Sequence, residues 1–286
     1  MADAVADLRC PCEGRYFQVV FRYVRPPAGE TRFAASANGY AREFQRCRLC
    51  GHFAGVHAMD LTALYSGDYV GSTYGDAEGL RRAFDRINAL DPATSDNVAR
   101  VARVLAFAAA HRPGLGCSGR PTVLDVGSGL GVFVQRMKAA GWNATALDRD
   151  VRAVRHARDI IGVDAVHADF REVGALGPFD AIAFNKVLEH VQDPAAMLER
   201  AHRHLDPHGF VYLEVPDGET AAANGPDREE FFIDHWHAFS RASVAMMAER
   251  ATFRAVAIEG LREPSGKYTL RAFLTPRAAD RGLAVE

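Results

Sequence analysis

Short apolar runs alternate with amphipathic segments between residues 122 and 275, and this alternation constrains the fold more than any other feature. Runs of strand length occupy residues 122–126, 144–147, 165–167, 179–185 and 210–215. Helical patterns occupy residues 129–140, 151–161, 194–205 and 240–249. Strands and helices alternating at this spacing predict a mostly parallel sheet with helices on both faces.

Two more strand-like runs, at residues 253–259 and 268–275, follow the last of these helices. No helical segment separates them, so they predict an antiparallel hairpin at one edge of the sheet. Residues 76–110 have a helical pattern that Asp91-Pro92 interrupts. The predicted fold is therefore α/β, with a Rossmann-like sheet of seven strands.

The first strand leads into a glycine-rich loop in the run VLDVGSGLG, residues 123–131. In that loop Gly127 permits a tight turn, Gly129 lets the backbone approach a ligand, and Gly131 allows the next helix to pack closely. Asp125 stands just before the loop. A carboxylate there would repel a pyrophosphate, but it suits a ligand that carries an ammonium group, as S-adenosylmethionine (SAM) does.

Polar side chains also end the next three strands. Asp148 closes the second strand, where a carboxylate can accept hydrogen bonds from ribose hydroxyls. Asp169 follows the third strand and suits an adenine amino group, with the adjacent Phe170 packing on the ring. Asn185 ends the fourth strand, beside the expected methionine portion. Ligands of open parallel sheets bind beyond the carboxyl ends of the strands, so these residues predict one nucleoside site.

The runs VLDVGSGLG, ALDRD, HADF and FDAIAFNKVLEHVQDP resemble the ordered motifs of class I SAM-dependent methyltransferases. The resemblance covers roughly residues 95–275 and implies SAM as the cofactor. It implies that Asp125 and the three loop glycines hold the methionine portion. It also assigns Asp148 to the ribose, and Asp169 with Phe170 to the adenine.

Two histidines are candidates for the base that removes a proton from the methyl acceptor. His190 comes directly after the fourth strand, and many members of the family carry a similar Glu-His-Val there. His237 lies in DHWHAFS, which resembles the acceptor-pocket wall of the family. Imidazole suits proton transfer near neutral pH. For each histidine, a structural role in packing or capping is the alternative.

A magnesium-assisted reaction is a weaker hypothesis. Glu189, Asp193, Glu214 and Asp217 supply carboxylates, but Mg²⁺ needs several oxygens converging in octahedral geometry. Asn185 occupies the position where the leading carboxylate would be expected.

Four of the five cysteines lie within the first fifty residues: Cys10, Cys12, Cys47 and Cys50. Cys47-Arg48-Leu49-Cys50-Gly51 has the form of a zinc knuckle, and the Cys10/Cys12 pair would complete a structural four-thiolate zinc site. Free buried thiols are the alternative, and His52 or His57 are alternative ligands.

The run RCRLCGH and the tyrosines that follow it resemble the zinc-bearing entry of bacterial methyltransferases that act on sugars and other natural products. We therefore expect residues 1–75 to form a zinc module and lid, and residues 76–286 to form the methyltransferase domain. Tyr65, Tyr69 and Tyr74 are the candidate lid residues.

The net charge of the chain limits the classes of methyl acceptor that are expected. The net charge of −2 argues against a ribosomal RNA methyltransferase, the main enzymatic alternative, because phosphate recognition needs a basic surface. A small molecule, sugar or glycan acceptor is expected, with O-methylation favoured over methylation at carbon or nitrogen. A SAM-binding subunit without activity is the non-enzymatic alternative.

The chain shows neither a secretory signal nor an apolar run of membrane-spanning length, so a cytoplasmic protein is expected. The sequence leaves its oligomeric state open.

Overall fold

The computed structural model describes residues 9–30, 39–57, 59, 76–115 and 119–277. The proposed lid tyrosines Tyr65, Tyr69 and Tyr74 lie outside this part of the chain. No helix in the described part is long and apolar enough to cross a membrane.

The described chain contains eleven strands and seven α-helices. The strands are β1 (Phe17–Tyr23), β2 (Arg42–Cys47), β3 (Phe53–His57), β4 (Thr122–Val126), β5 (Asn143–Asp148), β6 (Asp164–His167), β7 (Phe179–Asn185), β8 (Leu205–Pro216), β9 (His237–Ala238), β10 (Phe253–Arg262) and β11 (Tyr268–Pro276). The helices are α1 (Ala77–Asn88), α2 (Asp96–His111), α3 (Val132–Ala139), α4 (Val151–His156), α5 (Pro194–Glu199), α6 (Gly218–Ala223) and α7 (Arg241–Arg250).

The larger sheet has seven strands in the order β10-β11-β8-β7-β4-β5-β6. Strands β4 to β8 pair in parallel, while β11 runs antiparallel to both β8 and β10. Apolar side chains on its two faces form two separate core clusters beneath the helices. The predicted Rossmann-like sheet, its covered faces and its edge hairpin are confirmed.

Several element boundaries differ from the prediction. Helix α3 starts at Val132, because Gly129 and Gly131 both adopt left-handed backbone conformations that precede a helix rather than continue it. Helix α5 ends at Glu199 and passes into a 3₁₀ turn over Arg200–Arg203. The predicted break at Asp91-Pro92 is present as a short 3₁₀ turn that separates α1 from α2.

The amino-terminal segment forms a second, smaller sheet in the order β1-β2-β3-β9. Its last strand, β9, comes from residues 237–238 and pairs antiparallel with β3. Side chains of both regions share one core, in which Phe44 and Phe53 pack on Phe231. The amino-terminal strands are therefore connected to the rest of the described chain in two ways: they share a sheet with β9, and they share a hydrophobic core with the segment around Phe231.

A buried ion pair strengthens this junction. Arg42 donates to Glu30 over 2.8 Å and also to the carbonyl of Phe231, and both charged side chains are almost fully buried. Glu30 also accepts from the backbone N–H of Ile233 at 2.7 Å. Burial raises the pKa of Glu30 even though these donors favour its charged form. Charged groups at such depth need this many partners to offset their lost hydration.

Candidate functional site

The strand order reverses at β4, which pairs with β5 on one side and β7 on the other. Asp125, near the end of β4, accepts a hydrogen bond of 2.8 Å from the side-chain amide of Asn185, the last residue of β7. Two of the predicted site residues thus meet at the switch point of the sheet, where open α/β folds bind their ligands.

Burial controls the electrostatics of this pair. Asp125 is 1% exposed, and burial raises its pKa to about 7, while the bond from Asn185 acts in the opposite direction. Asn185 Oδ1 and Ser128 Oγ are also buried and have no hydrogen-bond partner among the described residues. Unpartnered buried acceptors are rare because they lose their hydration without replacement. The switch point therefore offers acceptors to a ligand that carries donors or positive charge.

The glycine loop follows β4 and contains one of these acceptors, Ser128. Gly129 has a φ of +49°, and a Cβ placed on it would meet nothing within 4 Å, so its backbone borders open space. At Gly131, by contrast, there is no space for a side chain, because a Cβ there would lie 2.4 Å from the side chain of Ile161. Gly129 thus leaves room beside the loop, and Gly131 lets α3 approach the π-helical turn Ala157–Ile161 that follows α4.

Asp148 ends β5 and holds the glycine loop in place. Its Oδ2 accepts from the backbone N–H of Gly129 at 2.8 Å, and its Oδ1 accepts from that of Asp150 at 2.8 Å. Burial raises the pKa of Asp148 despite these bonds. The two carboxylate oxygens have four lone pairs between them, so the carboxylate can accept from a further donor.

Asp169 and Phe170 follow β6. The side chain of Asp169 forms ion pairs with arginines, whereas the ring of Phe170 lies in the core. Asp169 pairs with Arg171 at 2.6 Å and with Arg149 at 3.4 Å. Burial opposes its ionisation, but the hydrogen bonds from Arg171 outweigh burial and lower its pKa. The ring of Phe170 is 1% exposed and packs edge-on against Phe184 in the core. The ring of Phe170 therefore lies in the hydrophobic core and does not face the solvent at the edge of the sheet.

His190 lies in a 3₁₀ turn, Leu188–His190, that follows β7. Its Nδ1 is 2.8 Å from the backbone carbonyl of Asp234, and its ring lies 4.9 Å from that of His235. The side chain is about one quarter exposed. The turn brings His190 to the same edge of the sheet as Asn185.

His237 is 1% exposed, and both ring nitrogens have partners within the protein. Its Nδ1 lies 3.0 Å from Nε2 of His52, and its Nε2 lies 3.3 Å from the carbonyl of Gln192. Burial lowers the pKa of His237 to about 4. His52 in turn contacts Ser243 Oγ at 3.3 Å. His237 therefore belongs to a buried polar chain between the amino-terminal sheet and the loop after β7.

The four amino-terminal cysteines converge. Cys10 Sγ lies 3.3 Å from the sulfurs of Cys12 and Cys50, and Cys12 Sγ lies 3.7 Å from that of Cys47. All four are free thiols whose sulfurs lie within 4.8 Å of one another. Zinc–sulfur bonds of about 2.3 Å in a tetrahedron place sulfurs about 3.8 Å apart, so the cluster has the dimensions of a four-thiolate zinc site.

The knuckle backbone supports this arrangement. Gly51 adopts a φ of +75° and donates to the carbonyl of Cys47 at 2.9 Å. The two histidines considered as alternative ligands are not members of the group of potential metal ligands around these sulfurs in the described chain. His52 is bonded to His237 and Ser243 instead, and His57 stacks on Trp236.

Sequence reasoning did not predict several side-chain contacts around the site. Arg100 of α2 forms a buried ion pair of 2.5 Å with Glu214 of β8. Lys186, which follows Asn185, pairs with Glu263 at 3.0 Å. The hydroxyl of Ser128, in the glycine loop, is one of the unpartnered acceptors among the described residues. The Arg100–Glu214 and Lys186–Glu263 ion pairs join residues far apart in the chain, so no local sequence pattern predicts them.

Comparison with known proteins assigns the family. Residues 81–258 match the model of a family described as "Methyltransferase domain". The match covers more than half of the chain, and the chain belongs to this family. The resemblance to class I SAM-dependent methyltransferases, predicted from the ordered motifs, is confirmed at this level.

Among curated proteins, the ubiquinone biosynthesis O-methyltransferase of Pseudomonas paraeruginosa (strain PA7) is 34% identical over 101 residues, which are 33% of this chain and 44% of that protein. The protein of the same name from Xanthomonas oryzae pv. oryzae (strain PXO99A) is 35% identical over 108 residues, 35% of this chain and 45% of that protein. The chain thus spans less than half the length of these relatives.

Two solved structures share the fold. The 1,6-didemethyltoxoflavin-N1-methyltransferase of Burkholderia thailandensis, with bound 1,6-didemethyltoxoflavin and S-adenosylhomocysteine, has a TM-score of 0.53 at 19% identity, covering 91% of this chain and 100% of that one. The magnesium protoporphyrin IX methyltransferase of Synechocystis PCC 6803, with bound S-adenosylhomocysteine, has a TM-score of 0.54 at 15% identity, covering 75% and 99%. At these identities the likeness concerns the fold.

The raised pKa of Asp125 predicts a pH dependence of stability. Its pKa rises from 3.8 to about 7 on folding, so between these values the folded protein retains a proton that the unfolded chain releases. The free energy of unfolding should therefore fall as pH rises from about 4 to about 7, by up to about 1.4 kcal/mol per pH unit. Urea unfolding of the wild type and of the isosteric Asp125→Asn variant at pH 5 to 8 measures this term as their difference. A difference that stays constant between pH 5 and 7 would contradict it.

Proposed function

We propose that this protein transfers the methyl group of SAM to an oxygen of a small molecule, sugar or glycan. The observation that carries the proposal is the buried acceptor set at the switch point: the carboxylate of Asp125, Asn185 Oδ1 and Ser128 Oγ. An ammonium group brings both the positive charge and the N–H donors that these atoms lack.

The other residues of the edge fit the rest of this nucleoside. The Asp148 carboxylate can still accept from a ribose hydroxyl, next to the open space beside Gly129. Asp169 would accept from the adenine amino group alongside its arginine partners. Because the ring of Phe170 is in the core, we propose that this residue approaches the adenine through its backbone.

Two observations favour oxygen as the acceptor atom. The curated relatives named above are O-methyltransferases and align over a third of this chain. An alcohol or phenol also needs a proton acceptor, and His190 stands at the carboxyl end of β7 with part of its ring exposed. His237 is less suited to the role because its ring is enclosed and already bonded on both sides.

In this proposal the protein acts mainly by positioning. SAM supplies a methyl group on a positively charged sulfur, which is already a strong electrophile. The acceptor set and Asp148 fix the nucleoside, and the turn of Leu188–His190 carries the base to the same edge. Alignment of the reacting atoms supplies much of the rate enhancement in displacements of this kind.

We further propose a structural zinc ion in the four-cysteine cluster. The sulfur separations match a tetrahedral site, and Ser240 and Arg250 donate to the carbonyls of Cys50 and Cys10. The ion would thus stabilise the contact between the amino-terminal sheet and α7. Residues 1–75 and 76–286 would be the zinc module with its lid and the methyltransferase domain, joined by the shared core around Phe53.

Replacing Asp148 with Ala tests nucleoside binding. We expect the affinity for S-adenosylhomocysteine to fall about tenfold or more, because the ribose loses a charged acceptor and the loop loses its bond from Gly129. Isothermal titration calorimetry measures the change. Asp164→Ala is the matched control, since Asp164 is exposed at the amino end of β6. Equal affinities of the two variants would refute the assignment.

Replacing His190 with Ala tests the base. Turnover, measured as S-adenosylhomocysteine formed from SAM with a pool of phenolic and sugar acceptors, should fall by about 10²- to 10⁴-fold while nucleoside binding is kept. The exposed His208 provides the control, as His208→Ala. His237→Ala should instead lower the melting temperature, because His52 loses its partner. Absence of any turnover by the wild type would favour a non-catalytic SAM-binding subunit.

Metal analysis tests the zinc site. Purified protein should contain about one zinc per chain that Cys12→Ser and Cys47→Ser each reduce, and chelation should lower the melting temperature. Cys117→Ser, which removes the fifth cysteine, is the control and should retain the metal. Zinc-free protein that melts at the same temperature would exclude a structural role for the ion.

A further inference from the structure

Three potential metal ligands face one another beside the turn after β7, outside the cysteine cluster. Glu189, His190 and His235 each place one carboxylate oxygen or ring nitrogen within 4.8 Å of the others. The two imidazole rings meet edge-on with their centroids 4.9 Å apart. The turn and the 234–236 segment are held together by the backbone bond from Trp236 N–H to the carbonyl of Glu189, at 2.8 Å.

Backbone carbonyls fix both imidazoles. Nδ1 of His190 lies 2.8 Å from the carbonyl of Asp234, and Nδ1 of His235 lies 3.0 Å from that of Glu230. A carbonyl only accepts, so each Nδ1 carries the hydrogen, and in a neutral ring the lone pair is on Nε2. Histidines that bind metals are commonly oriented by this kind of bond on the other nitrogen.

Glu189 provides the independent sign of a ligand. Its side chain is 1% exposed, and its Oε2 is buried with no hydrogen-bond partner in the described chain. The other acids weighed for a magnesium site are engaged elsewhere. Asp193 and Asp217 cap helices α5 and α6, and Glu214 pairs with Arg100. A buried carboxylate without a partner is costly, and a cation beside it would offset that cost.

We propose that Glu189, His190 and His235 bind a divalent transition-metal ion of the Zn²⁺ type. Two imidazoles and one carboxylate are a donor set that catalytic zinc sites use, and three protein ligands leave a position open. Bonds of about 2.0–2.2 Å would bring the ligand atoms to about 3.4 Å apart.

This inference rests on the proposed O-methylation and refines the role of His190, which would hold the ion while the ion acidifies the acceptor. The acceptor hydroxyl binds at the open position, its O–H bond breaks, and the proton passes to water. The oxygen's electron pair then forms the C–O bond to the methyl carbon. The C–S bond breaks with its pair left on sulfur, which gives neutral S-adenosylhomocysteine.

Cobalt binding tests the site without relying on activity. The full chain is given one equivalent of Zn²⁺ to fill the thiolate cluster and is then titrated with Co²⁺. We expect a second site whose weak visible bands lack the intense near-ultraviolet absorption of cobalt thiolates. Glu189→Gln and His235→Ala should each weaken Co²⁺ binding about tenfold or more. His208→Ala should bind as the wild type does, and retained affinity for S-adenosylhomocysteine would show that each variant is folded.

The outcomes separate the two proposals. Absence of a second cobalt site, or a site that Glu189→Gln and His235→Ala leave intact, would overturn the metal proposal and leave His190 as a simple base. Turnover that is insensitive to Glu189→Gln would overturn it as well. A wild type that binds Co²⁺ at this site but takes up no S-adenosylhomocysteine would contradict the proposed function and not the metal site.

Discussion

The parallel pairing of β4 with β5 on one side and β7 on the other is the arrangement on which the candidate site depends. It brings the carboxyl ends of three strands to one edge, so that Asp125, Asp148 and Asn185 lie around the same loop. The Asp125–Asn185 bond crosses the switch point itself and ties β4 to β7 where a ligand would enter.

The site contrasts two ways of accommodating buried charge. Glu214, which lies opposite Asn185 near the carboxyl end of β8, is satisfied by Arg100 and Arg271 and belongs to the framework. Asp125 has a single neutral partner, and Glu189 has an oxygen with none in the described chain. Groups of the second kind destabilise the protein when left alone, so their presence is better explained by what they bind.

The amino-terminal sheet extends the site and does not stand apart from it. β9 joins the sheet only two residues after His235, and His237 connects His52 to the carbonyl of Gln192 in the loop after β7. The cysteine cluster reaches the same region through the bond from Ser240 to the carbonyl of Cys50. Ordering of the cysteine cluster would therefore also order the strand and loop that carry the candidate acceptor site.

Local pattern was enough to determine the α/β class, the seven-stranded sheet, its edge hairpin and the positions of the strand-end acids. Each of these follows from hydrophobic periodicity or from glycine spacing, which act over a few residues. The meeting of Cys10 and Cys12 with the knuckle was also predicted, but from the ligand chemistry of zinc sites, because the two cysteine pairs are far apart in the chain. Where the sequence erred on boundaries, as at the start of α3, the backbone freedom of two glycines decided the outcome.

Tertiary structure alone decided which side chains face solvent and which face one another. The burial of Phe170, the enclosure of His237 by His52, and the meeting of Glu189 with His235 all join segments distant in the chain. Periodicity could not predict the pairing of β9 with the four-stranded sheet either, because a strand of two residues is too short to show a period. Such contacts depend on how separate elements pack, and local propensity carries no information about that packing.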